Sequence, residues 1–111
     1  MALSQKPWGK ISETDYADAA DYCSACLLDL NGSGDKTKAQ CHLPVKEPKS
    51  MGGALNRNGM LAAQGALLGA RGGVKLDPAQ KRTAAKKLGS MMQNNDMDPA
   101  EGLMRMAGMK K

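Results

Sequence analysis

The stretch YCSACLLDLNGSGDKTKAQCHLP, Tyr22–Pro44, decides how this 111-residue chain folds. It carries all three cysteines, Cys23, Cys26 and Cys41, and the single histidine, His42. Read with what precedes it, the stretch begins as a helix. Tyr16, Ala19 and Ala20, Cys23, then Cys26 and Leu27 recur at helical spacing, which puts both early cysteines on the apolar stripe. Ser12 and Asp15 make an S-x-x-D capping pattern, and carboxylates crowd the first turn, where the helix dipole favours them. A helix over about residues 13–28 is therefore expected, closed by Asn31–Gly34, NGSG.

The same stretch poses a metal question. Zinc needs four soft or borderline ligands on a tetrahedron, and Cys23, Cys26, Cys41 and His42 supply the right types, with C-x-x-C as half a site. The other half is awkward, because neighbours in an extended segment face opposite ways. The competing reading makes Cys23 and Cys26 small core residues, with Cys41 and His42 near the surface. A calcium loop fits only in front. Asp29, Asn31, Ser33 and Asp35 fall at positions one, three, five and seven, with Gly34 at six, but position twelve is Gln40 where a bidentate Glu is required. A surface turn explains that composition better, and no cofactor is expected beyond the zinc candidate.

Downstream, AQCHLPVKEPKSMGG is extended, because Pro44 and Pro48 forbid a continuous helix; a short hairpin and an irregular linker both fit. Asn56 or Asn58 caps a second helix, GMLAAQGALLGA, with Met60, Ala63, Leu67 and Leu68 on one side and Gly69–Gly73 as its stop. LDPAQ (Leu76–Gln80) and MDPAE (Met97–Glu101) each place Asp at a cap and Pro at the first helical position. They predict helices over about 78–93 and 99–108, the former with Ala85, Leu88 and Met92 inward. The expected architecture is all-α: an N-terminal arm at 1–11, anchored by Trp8, and a single domain at 12–111. Four short helices make up that domain, with the proline-containing segment between the first two.

Composition narrows the function. With no Phe, one Trp and two Tyr against nine Met, the core is short of large aromatic side chains and gains from a partner or an oligomer. Residues 1–57 balance seven Lys/Arg against seven Asp/Glu, whereas residues 58–111 carry nine against four, so the whole net charge of +5 lies in the second half. Arg71, Lys75, Lys81, Arg82, Lys86 and Lys87 form a basic face able to meet phosphates, although no aromatics interleave to stack on bases. No apolar run reaches bilayer length and no signal-peptide core leads the chain, so a soluble protein made in the cytoplasm, with reduced thiols and no membrane role, is expected. His42 has no serine-centred motif to serve, and GARGG lacks the Lys and Ser/Thr of a phosphate loop, so no enzyme is expected.

One resemblance covers most of the chain, roughly residues 8–92. Trp8, ACL (Ala25–Leu27), LPVKEP (Leu43–Pro48), LNRNG (Leu55–Gly59), an Ala-rich helix and AAKKL (Ala84–Leu88) after DP follow one another in order. That series resembles a module of tailed-bacteriophage head-morphogenesis proteins, found as a C-terminal extension of prohead-protease-type polypeptides. The protease itself is absent, so no peptidase activity carries over, and the cysteine–histidine set is foreign to the module. The resemblance implies a virion protein of the capsid that binds the major capsid protein or another head protein, as decoration, cement or assembly factor. An alternative, resting on the charge asymmetry, is a nucleic-acid-binding head or regulatory protein that uses the basic face of the third helix, in contact with packaged DNA. Trp8, Leu43, Met60 and Leu67 are the candidate docking residues, a small zinc-stabilised binding module being a further alternative.

Overall fold

The computed structural model describes residues 3–31, 37–69 and 76–109. Among them are helices α1 (Ala19–Ala25), α2 (Arg57–Leu67), α3 (Pro78–Asn94) and α4 (Glu101–Ala107), and strands β1 (Cys26–Asp29) and β2 (Cys41–Pro44). The two strands form an antiparallel sheet, so the chain is mixed α/β and the all-α expectation is corrected. The chain divides into two units, Met1–Gly59 and Met60–Lys111.

In the first unit the expected long helix is broken twice. The Ser12–Asp15 capping pattern forms, with Ser12 N donating to Asp15 Oδ2 at 2.8 Å, but it closes only a single 3-10 turn, Glu13–Asp15. The true cap is Asp18, whose side chain accepts from Asp21 N at 2.8 Å, while Asp21 Oδ2 accepts from Ala17 N at 3.1 Å. The helix then stops at Ala25 rather than continuing to 28, because Cys26–Asp29 turns into a strand that pairs with Cys41–Pro44, with Leu27 and Leu28 both buried. A strand places such neighbours on opposite faces, and the backbone groups of this segment are taken up by pairing with residues 41–44. Cys26 pairs with Pro44, Leu28 with His42 and Asp29 with Cys41.

The ladder continues past β2. Val45 N donates to Ala25 O at 2.8 Å, Asn56 N to Val45 O at 2.8 Å and Glu47 N to Ala54 O at 2.8 Å, so residues 45–47 run against 54–56. Between them the chain reverses through Pro48–Gly53, where Gly52 takes φ 104°, a left-handed conformation that costs glycine least. The N-terminal segment joins the same layer, since Ser4 N donates to Leu55 O at 3.0 Å and Arg57 N to Ser4 O at 2.9 Å. Tyr16 and Tyr22 meet edge to face at 5.1 Å, and the Tyr16 hydroxyl donates to Lys46 O.

Among its described residues the second unit buries mainly Ala, Leu and Met: Met60, Ala63, Leu67, Ala84, Ala85, Leu88, Met92, Leu103, Met104 and Ala107, joined by Gly89 and Pro99. LDPAQ starts α3 as predicted, with Asp77 Oδ1 accepting from Gln80 N at 2.8 Å and Gln80 Oε1 accepting from Asp77 N at 3.2 Å. MDPAE does not repeat this. The residue at the cap of α4 is Ala100, not Asp98, and its N–H is satisfied from a distance by Gln64 Oε1 at 2.8 Å. Leu68, expected on one side with Met60, Ala63 and Leu67, is 43% exposed while those three are buried.

Candidate functional site

The motifs LPVKEP and LNRNG meet in the first unit around two buried polar side chains. Prolines at 44 and 48 hold the segment between them extended, and its pairing with residues 54–56 brings Glu47 together with Asn56. Glu47 is 2% exposed and Asn56 is fully buried. Asn56 Nδ2 donates to Glu47 Oε2 at 3.0 Å and to Lys6 O at 3.2 Å, and Asn56 Oδ1 accepts from Gly59 N at 2.8 Å. One side chain thus caps α2, grips the carboxylate and ties down the N-terminal segment.

Burial of Glu47 acts to raise its pKa, but hydrogen bonds from Ser4 and Asn56 and the charge of Lys6 outweigh it and hold the carboxyl below its usual value. The Lys6 ammonium lies 3.6 Å from Glu47 Oε1. Trp8 covers the start of α2 so closely that a Cβ on Gly59 would lie 3.0 Å from three ring carbons. Nearby, Asp21, Ser24, Ala25, Lys46, Glu47, Lys49 and Gly53 line a shallow cleft. Its buried carboxylate Asp21 accepts from the backbone of Ala17 and Lys49, at 3.1 and 3.3 Å. Both buried acids therefore hold the chain in shape.

The cysteines sort differently from the predicted metal set. Cys23 and Cys41 form a disulfide with their Cα atoms 5.3 Å apart, correcting the expectation of reduced thiols and of a Cys41 near the surface. Cys26 is the remaining thiol, half-buried and packed with Tyr22. Burial pushes its pKa up to about 12; the Tyr22 hydrogen bond lowers it, and Asp29 and Glu13 add to the rise. Burial first, then Cys26, raises Tyr16 to about 12, and Tyr22 is raised for the same two reasons. Pairing explains the split: Cys41 stands opposite Asp29 in the ladder, whereas His42 stands opposite Leu28, in register with Cys26 and Pro44. The four predicted ligands are not brought together. The group that is brought together is Cys23, Asp29 and Cys41, whose ligand atoms all lie within 4.8 Å of one another.

Of the predicted docking residues, Trp8 and Leu43 are half-buried, while Met60 and Leu67 lie buried among the core side chains. Leu43 adopts φ 65°, a region bulky residues rarely occupy. On the basic helix α3, Arg82, Lys86 and Lys87 are exposed and Lys81 is half-buried; Arg71 and Lys75 lie outside the described residues. Calcium positions Ser33, Gly34 and Asp35 also lie outside them, and Asn31 is committed elsewhere: its Oδ1 accepts from Thr37 N at 3.0 Å and its Nδ2 donates to Asp29 Oδ1 at 2.8 Å. Glu47 is not singled out by the sequence pattern, Asn56 is legible only as a helix cap and Asp29 only as a calcium-loop position, because the Glu47–Asn56 bond and the placing of Asp29 beside the sulfurs arise through strand pairing. The sequence hint is a carboxylate inside LPVKEP and the asparagines of LNRNG.

No helix among the described residues is long and apolar enough to cross a membrane. No family model, curated protein or solved structure matches the chain.

Proposed function

We propose that this chain is a non-enzymatic protein of a tailed-bacteriophage head, docking on the major capsid protein as a decoration or assembly factor. The observation that carries the reading is the convergence of Trp8, LPVKEP and LNRNG, the motifs of the resemblance, on the single Glu47–Asn56 core. A series of motifs that serves to build one folded unit is what a transplantable binding module needs. Buried polar pairs of this kind are satisfied only by one backbone arrangement, so they favour a single shape.

Docking falls to the residues this unit leaves at its surface. Leu43 is held in a left-handed conformation beside the fully buried Val45. Strain of roughly 1–3 kcal/mol at such a residue concentrates at contact sites. Exposed Arg82, Lys86 and Lys87 belong to the same reading as a face for packaged DNA, where binding weakens steeply with salt.

Co-sedimentation of the purified chain with assembled shells tests the proposal. The expected result is saturable binding that Leu43→Ala and Trp8→Ala weaken while circular dichroism stays native. Failure of the folded wild-type chain to sediment with shells would remove the reading.

A further inference from the structure

Cys23 lies on α1, Cys41 opens β2 and Asp29 faces Cys41 across the ladder, so three separate elements bring two sulfurs and a carboxylate to one point. Their ligand atoms lie within 4.8 Å of one another. Asn31 organises the group: its Nδ2 is 3.6 Å from Cys23 Sγ, 3.4 Å from Cys41 Sγ and 2.8 Å from Asp29 Oδ1. Its two hydrogens are shared among these acceptors and Thr37 O, 3.2 Å away, and a donor so placed beside the sulfurs suits thiolates better than a neutral disulfide, because it stabilises negative charge and orients ligands.

We propose that, when reduced, Cys23, Cys41 and Asp29 form a zinc site, and that the Cys23–Cys41 disulfide is its oxidised, metal-free state. Tetrahedral zinc with Zn–S near 2.3 Å holds two sulfurs about 3.8 Å apart. Side-chain rotation from Cα atoms 5.3 Å apart reaches that spacing without rebuilding the backbone. Water completes the coordination, since Cys26 and His42 stand in the other register of the sheet.

Metal binding releases the two thiol protons. Oxidation by a low-molecular-weight disulfide then proceeds by exchange: one cysteine sulfur attacks it and expels one thiol, and the second cysteine sulfur displaces the other. The two protein sulfurs lose two electrons, the small disulfide gains them and takes up two protons, and Zn²⁺ is set free.

The test uses the full chain, dialysed against Zn²⁺ with a phosphine reductant and then without free metal. One zinc per chain is expected, together with a thiolate-to-metal charge-transfer band when Co²⁺ replaces it. Oxidised glutathione should expel the metal as the intact mass falls by two hydrogens. Asp29→Ala and Cys41→Ser should weaken binding at least tenfold, whereas Cys26→Ser and His42→Ala should not. The proposal fails if the reduced, folded wild-type chain retains no zinc, if the oxidised chain retains it, or if Cys26 or His42 proves necessary. The wild-type comparison of the two redox states stands even if a cysteine variant does not fold.

Discussion

Replacing Asn56 by alanine removes three hydrogen bonds from a fully buried position, and their fates differ. The lost helix cap at Gly59 N costs about 0.5–2 kcal/mol. Glu47 Oε2 loses a donor to a buried charge, worth about 1.5–3 kcal/mol. The third bond costs little, because Lys6 O also accepts from Asn58 Nδ2 at 3.1 Å and stays satisfied. The total is about 2–5 kcal/mol, a large share of the roughly 6–17 kcal/mol expected for a chain of this length. With about 4–8 °C lost per kcal/mol in a small domain, a central value near 3.5 kcal/mol lowers Tm by roughly 15–30 °C.

Trp8, the single tryptophan, sits on this unit and reports its unfolding by fluorescence in urea. Asn58→Ala is the control: its bonds to Gln5 O and Lys6 O are exposed, and its loss should stay below about 1 kcal/mol. Asn56→Asp keeps the capping oxygen but sets a second carboxylate against Glu47, so it should be poorly stable at neutral pH and recover as acid protonates one of the pair. The wild type should behave oppositely. A carboxyl depressed in the folded state contributes stability above its unfolded pKa, near 4.3, and loses it as pH falls through the lower folded value. If Asn56→Ala costs no more than Asn58→Ala, the buried pair does not organise this unit.

Three further outcomes are expected. Gly59→Ala gains about 1 kcal/mol of helix propensity but forces Trp8 aside, for a net loss of about 1 kcal/mol and an altered emission spectrum; a stabilised variant with an unchanged spectrum would contradict the close approach. Reducing the Cys23–Cys41 bond, 18 residues apart in sequence, should lower stability in chelator by about 3 kcal/mol through loop-closure entropy, measured by urea denaturation. A loss under 1 kcal/mol would contradict that. Cys26, with its pKa near 12, should resist iodoacetamide at pH 8 in the native oxidised chain and react only on unfolding; rapid stoichiometric labelling of the native chain would refute its burial.

Legibility followed the range of the interaction. Asp77 and Gln80 cap α3 through neighbours three residues apart, and the sequence pattern predicts them correctly. The same pattern at Asp98 misleads, because Gln64, 36 residues away, supplies the partner that Ala100 N uses. Cys26–Asp29 reads as the end of a helix since an apolar run has no period of its own; pairing with Cys41–Pro44 makes it a strand. Glu47 and Asn56 look like surface residues until the turn at Pro48–Gly53 folds one onto the other. The predicted zinc ligands separate for a related reason: the adjacency of Cys41 and His42 is legible in the sequence, but only the register shows that Asp29, not His42, shares the sulfur side.

The proposal that this chain works by adhering to a larger assembly is tested most directly by counting its copies in purified phage heads. Quantitative mass spectrometry of density-banded heads, with tails separated, should find a fixed ratio of this chain to the major capsid protein that survives salt washing. Finding it absent from heads, or present only in traces that vary between preparations, would contradict the account.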